Sequence, residues 1–145
     1  MLWTLLKQGH AGKVDADSAI VMCPTSLVLN WAAEVKKWLG DKLIPTVVTS
    51  DMKKEKIETR LRGFIQSRSA GLLLASYETL SGNLELMKQR EIGVLVCDEA
   101  HRLKNVETKG WKDLIQIRAK TKIMVTGTPV QKDLNEFYAL LSFCM

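Results

Sequence analysis

Short blocks of Val, Ile and Leu alternate along the chain with longer stretches in which apolar residues recur every third or fourth position. The blocks at residues 19–23, 45–49, 72–76, 94–97 and 122–126 are too short for helices and read as β-strands. The stretches at 26–39, 53–67, 77–89, 108–119 and 134–143 read as helices, the first of them aligning Leu27, Trp31, Val35 and Trp38. The strand blocks are nearly uniformly apolar, so both faces of their sheet must be covered. This predicts an α/β fold with a mostly parallel sheet and helices on both faces. In such sheets the loops leaving the C-terminal strand ends form the ligand crevice. That rule selects Pro24-Thr25-Ser26, Ser76-Tyr77-Glu78, Asp98-Glu99-Ala100-His101 and Thr126-Gly127-Thr128-Pro129.

Composition narrows the class without changing the architecture. With 145 residues, 46% hydrophobic and 26% charged, the chain is neither disordered nor collagen-like. It is expected to form one domain, burying roughly 70% of its unfolded surface. The three cysteines, Cys23, Cys97 and Cys144, are odd in number, far apart and set in or beside apolar runs, which fits a reducing compartment. No run approaches the ~18 apolar residues of a membrane span. Met1-Leu2-Trp3-Thr4 lacks the features of a signal peptide, so a soluble intracellular protein without membrane contact is expected. The net charge is +5, and residues 53–68 carry six cations against Glu55 and Glu58. That segment is either an anion-facing surface or a solvated helix face with Ile57, Leu61, Phe64 and Ile65 turned inward.

The residues with chemistry cluster after the strands. Asp98 and Glu99 end an apolar strand, and adjacent acids there cannot both be buried without a partner. In nucleoside-triphosphate hydrolysis the first of such a pair holds Mg²⁺ through its water shell and the next polarises the attacking water. A capping turn is the plainer reading of the same pair. Thr25, Ser26 and Asn30 stand at a helix start, where hydroxyls, backbone N–H groups and the helix dipole accept a phosphate oxygen, or where Thr25 or Ser26 caps the helix. Arg102, Lys104 and Asn105 either contact phosphates or hold the neighbouring loop. Trp31, Trp38 and Trp111 fall at apolar helical positions and are expected in core or interlobe packing rather than base stacking. His10 lies in a Gly-flanked loop without an assigned role.

The order of these blocks resembles a known family. Asp98-Glu99-Ala100-His101-Arg102-Leu103-Lys104-Asn105, followed by Thr126-Gly127-Thr128-Pro129-Val130-Gln131, is similar to the DEAH box and motif III of superfamily 2 helicase-like ATPases of the Swi/Snf class of double-stranded-DNA translocases. Pro24-Thr25-Ser26-Leu27-Val28-Leu29-Asn30-Trp31 resembles that family's motif Ia, and Ser76-Tyr77-Glu78-Thr79 its next DNA-side motif. Leu2-Trp3-Thr4-Leu5-Leu6 and the helix from Trp31 to Trp38 look most like the recombination-repair, Rad-type subgroup. The resemblance implies a RecA-like lobe, ATP and Mg as cofactors, duplex DNA as partner, and a nuclear setting. A second RecA-like lobe and recombination or chromatin proteins are further implied partners. By position, Asp98 matches the Mg-holding acid and Glu99 the hydrolytic base, while His101 links the nucleotide site to Thr126, Gly127, Thr128 and Gln131. Thr25, Ser26, Asn30, Ser76, Tyr77, Arg102, Lys104 and Asn105 are the implied DNA-binding positions. Lys132 departs from the family's usual Asn and puts a cation beside motif III.

The phosphate loop G-x-x-x-x-G-K-[ST] is missing from the sequence. Gly9-His10-Ala11-Gly12-Lys13-Val14 has too short a glycine spacing, and Val14 stands where a hydroxyl residue is needed. The expectation is a partial lobe that starts just after that loop and is inactive alone. Two other readings stay open, an RNA-directed DExH helicase lobe and a non-catalytic nucleic-acid or protein-binding module. A metalloenzyme built on Asp98, Glu99 and His101 is disfavoured by the scarcity of further ligands.

Overall fold

The computed structural model describes residues 17–67, 71–103, 105–127 and 134–145. Five strands, β1 (Ser18–Cys23), β2 (Thr46–Val48), β3 (Gly71–Ser76), β4 (Ile92–Asp98) and β5 (Ala119–Val125), form one sheet in the order β2-β3-β1-β4-β5. Every pairing is parallel, with Ile20 beside Leu73 on one side and Leu95 on the other. The helices are α1 (Val28–Leu39), α2 (Lys54–Gln66), α3 (Tyr77–Gly82), α4 (Leu84–Met87), α5 (Lys109–Leu114) and α6 (Leu134–Cys144).

Alternation along each strand divides the core in two. Ile20, Met22, Leu73, Ala75, Leu95 and Cys97 point to one face, where Leu61 and Phe64 of α2, Leu80 of α3, Met87 of α4, Leu114 of α5 and Phe143 of α6 cover them. Ala19, Val21, Cys23, Leu72, Leu74, Val94 and Val96 point to the other, against Val28 and Val35 of α1 and Leu43. Both faces are buried, as uniformly apolar strands require. On α2, Leu61, Phe64 and Ile65 are buried, so its apolar positions follow the inward-facing reading of this basic segment.

Three boundaries differ from the sequence reading. The single helix expected over 77–89 is broken at Asn83, whose backbone leaves the helical region at φ −124° and ψ 29° and whose Nδ2 donates to the Thr79 carbonyl at 2.8 Å. Gly82 and Asn83 are poor helix formers, and Asn competes for backbone hydrogen bonds. The helix expected over 108–119 spans only Lys109–Leu114, started by the Thr108 hydroxyl accepting from the Trp111 N–H. The chain must reach Ala119 to pair with Ile92, and that ladder outweighs local periodicity. β5 consequently begins three residues before the expected strand and carries exposed polar positions, which an edge of the described sheet tolerates.

Of the two packing places expected for Trp38, the core is not the one it takes: it is 73% exposed, with its Nε1 donating to Glu34 at 2.7 Å and Lys37 over its ring. Trp31 and Trp111 are partly buried against the two halves of the core.

Burial also sets thiol reactivity. Burial and the negative charges of Asp98 and Glu78 push the Cys23 thiol up to about 12, and burial raises Cys97 as well, whereas Cys144 is exposed. Since the thiolate is the nucleophile, iodoacetamide at mildly alkaline pH is expected to add one group to the native chain, at Cys144, and three after denaturation. Intact mass measurement reads this directly, and rapid native labelling at Cys23 or Cys97 would contradict the packing.

Candidate nucleotide and nucleic-acid site

The strand order sets β3, β1, β4 and β5 side by side. Because all run parallel, Pro24-Thr25-Ser26, Ser76-Tyr77-Glu78, Asp98-Glu99-Ala100-His101 and Thr126-Gly127 follow the same ends of adjacent strands and line one edge of the sheet, with β2 outside it.

Asp98 ends β4 and is held at three points. Its backbone carbonyl accepts the Tyr77 hydroxyl at 2.7 Å, its Oδ1 accepts the Glu99 N–H at 3.0 Å, and its Oδ2 accepts the Trp31 indole N–H at 2.8 Å. The carboxylate is half-buried, and neutral N–H donors orient both of its oxygens. Glu99 adopts φ +54°, the left-handed region that costs a non-glycine residue about 1–3 kcal/mol. The reversal starts the tight 3₁₀ turn Ala100–Leu103, anchored by buried Ala100 and Leu103. His101 Nδ1 then lies 3.2 Å from Glu99 Oε2 and 3.4 Å from the Thr126 hydroxyl. One ring nitrogen faces both groups, and it carries at most one proton, so His101 can donate to Glu99 or to Thr126 but not fully to both.

On the β1 and β3 side, Glu78 ties together residues that the sequence placed separately. Its two carboxylate oxygens accept from the Thr25 hydroxyl and from Arg102, each at 3.3 Å. These groups are largely exposed, so the Arg102 pair contributes about 0–1 kcal/mol. Thr25, Ser26 and Asn30 are exposed at the start of α1, and neither Thr25 nor Ser26 caps it.

The side chains of Ser76 and Tyr77, two of the implied DNA-binding positions, are turned inward. Ser76 is 1% exposed and its hydroxyl is taken up by the Thr79 N–H and hydroxyl, while Tyr77 is 6% exposed and spends its hydroxyl on Asp98. Burial also raises the Tyr77 hydroxyl well above its usual range. Asn105 is exposed and builds its own loop, its Oδ1 accepting from Glu107 N–H at 2.9 Å. Gly127 is exposed beside Thr126. Lys104, Thr128, Gln131 and Lys132, like the Gly-Lys loop at 9–14, lie outside the described residues.

Sequence reasoning missed Trp31 and Glu78. Trp31 carries a helix-packing signature, and nothing in that pattern reveals a partner 67 residues away. Glu78 is an acid inside a motif read as phosphate-facing, and that mismatch of charge was the available signal.

A magnesium ion held through water fits this donor set. Among the described residues no three His, Cys, Asp or Glu side chains converge as a complete cage. A half-buried, oriented single carboxylate is what an ion requires when water and phosphate oxygens complete its shell.

A five-stranded parallel sheet with helices on both faces has the architecture of a RecA-like lobe, and its edge carries an Asp-Glu pair beside a histidine and a threonine. The chain belongs to the SNF2-related domain family, which matches residues 1–145. It is 37% identical over 147 residues to the "DNA repair and recombination protein RAD54-like" of Mus musculus, covering 99% of this chain and 20% of that protein. It is 41% identical over 149 residues to the "DNA repair protein rhp54" of Schizosaccharomyces pombe, covering 99% of this chain and 18% of that protein. Among solved structures, the "Sulfolobus solfataricus SWI2/SNF2 ATPase core in complex with dsDNA" is similar in fold with a TM-score of 0.69. Its identity is 24%, and the match covers 94% of this chain and 27% of that one. The chain thus spans about a fifth of the length of these curated relatives.

Proposed function

We propose that this chain is part of the first RecA-like lobe of an ATP-dependent double-stranded-DNA translocase acting in DNA repair and recombination. The intact protein then works in the nucleus with ATP, magnesium, a second RecA-like lobe and recombination or chromatin partners. The observation that carries the reading is convergence: Asp98, Glu99, His101 and Thr126 occupy the same sheet edge as Thr25, Arg102 and the exposed start of α1. The similarity to DNA repair and recombination proteins supports DNA as the partner, and the core of similar fold was solved in complex with double-stranded DNA.

When bound, magnesium neutralises charge developing on the transferred phosphoryl group. Asp98 would hold the ion through its water shell, and the Trp31 and Glu99 N–H donors keep the carboxylate from swinging away. Glu99 accepts hydrogen bonding from the attacking water and polarises it. His101 shares its Nδ1 between Glu99 and Thr126, so a movement of the Thr126-Gly127 turn changes how tightly Glu99 is held. Thr25, Ser26 and Asn30 offer exposed donors to backbone phosphates, with Arg102 adding charge. Phosphate arriving there competes with Glu78 for Thr25 and Arg102. Without a phosphate loop in its sequence, the 145-residue chain alone does not turn over ATP.

Hydrolysis by the intact protein in the presence of duplex DNA, single-stranded DNA or duplex RNA tests this. Duplex DNA is expected to stimulate most. A preference for RNA would move the lobe to the RNA-directed helicases, and no stimulation by any of the three would leave a binding module.

A further inference from the structure

We propose that Trp31 is a positioning residue that couples the place of helix α1 to the orientation of the Asp98 carboxylate. The inference deepens the reading above and rests on it. Two of the three bonds to Asp98 come from residues at strand ends, Tyr77 after β3 and Glu99 directly after Asp98 itself. The third comes from a different layer. α1 lies over β2 and β3, and Trp31 in its second turn reaches past β1 to the end of β4, where its Nε1 meets Asp98 Oδ2 at 2.8 Å.

The start of the same helix carries Thr25, Ser26 and Asn30, all exposed. Asn30 and Asp98 also line one open cavity of about 370 Å³ with Leu27, Trp31 and Glu34, so the start of α1 and the Asp98 carboxylate border the same space. An indole N–H donates one bond and accepts none, so it cannot swap roles when the helix moves. Either it holds Oδ2 or it releases that oxygen. A duplex that draws α1 toward its phosphates therefore alters the carboxylate expected to face the magnesium shell. Trp31 acts through Asp98 and touches no reacting atom.

The test uses ¹⁵N-labelled protein, whose tryptophan indole N–H groups give separate NMR signals. The Trp31 signal is identified by its loss in Trp31→Phe, which keeps an aromatic ring and removes the N–H. The expected result is that Asp98→Asn shifts this signal more than those of the other tryptophans, and that adding duplex DNA also shifts it. In the intact protein, Trp31→Phe is expected to raise the magnesium concentration for half-maximal hydrolysis several-fold and to lower duplex stimulation, with duplex affinity unchanged. A merely structural role would lower turnover at every magnesium concentration alike. An indole signal indifferent to Asp98→Asn or to duplex, or an unchanged magnesium dependence, would overturn the coupling. Duplex that neither binds nor stimulates the wild-type protein would instead sink the functional reading.

Discussion

Replacing Glu99 by Gln in the intact protein is expected to lower duplex-stimulated ATP hydrolysis by about 10²–10⁴-fold, the range for removing a positioned general base. Gln keeps the size of the side chain and a hydrogen-bonding oxygen for His101, so the turn Ala100–Leu103 and its buried anchors should persist. Duplex binding should also persist, because Thr25, Ser26, Asn30 and Arg102 lie on other parts of the edge. The positive φ at Glu99 strengthens the expectation, since that conformation is costly and is retained where it turns the carboxylate toward His101. Hydrolysis and duplex affinity measured on the same preparation decide it. Unchanged turnover in Glu99→Gln would remove Glu99 from the chemistry.

Leu95→Ala is expected to destabilise the chain by about 2–5 kcal/mol, against a total of about 5–15 kcal/mol for an ordinary domain. Leu95 is 0% exposed in β4, flanked by Ile20 in β1 and Lys122 in β5, and sits in the more heavily covered half of the core. The comparison residue is Leu29, which makes the same chemical change at 64% exposure on α1. Leu29→Ala should stay within about 0.5 kcal/mol of the wild type. Chemical denaturation of both variants reads the contrast. β4 ends at Asp98, so equal effects would mean that the strand carrying the acid pair is not held by this core.

The layer order and the edge that carries the site were legible because they depend on local pattern. Uniform apolar blocks fix a doubly covered parallel sheet, and the position of Asp98-Glu99 at the end of such a block follows from the same reading. What escaped depends on tertiary pairing. The break at Asn83 and the short α5 reflect side-chain competition and the demand of the β4–β5 ladder, which periodicity does not register. Ser76 and Tyr77 fall in the right loop, yet the burial of their side chains is decided by what packs over them. The Trp31–Asp98 and Thr25–Glu78 bonds span 67 and 53 residues, and no spacing rule brings such partners together.

The most direct test of the central claim is titration of labelled duplex DNA, single-stranded DNA and duplex RNA into the purified 145-residue chain at low and high salt, with Mg-nucleotide added or withheld. Weak, salt-sensitive binding that favours duplex DNA and ignores nucleotide is the expected result, because the chain carries the exposed edge proposed to meet phosphates and its sequence has no phosphate loop. Tight nucleotide binding by the chain, or a preference for duplex RNA, would contradict the account.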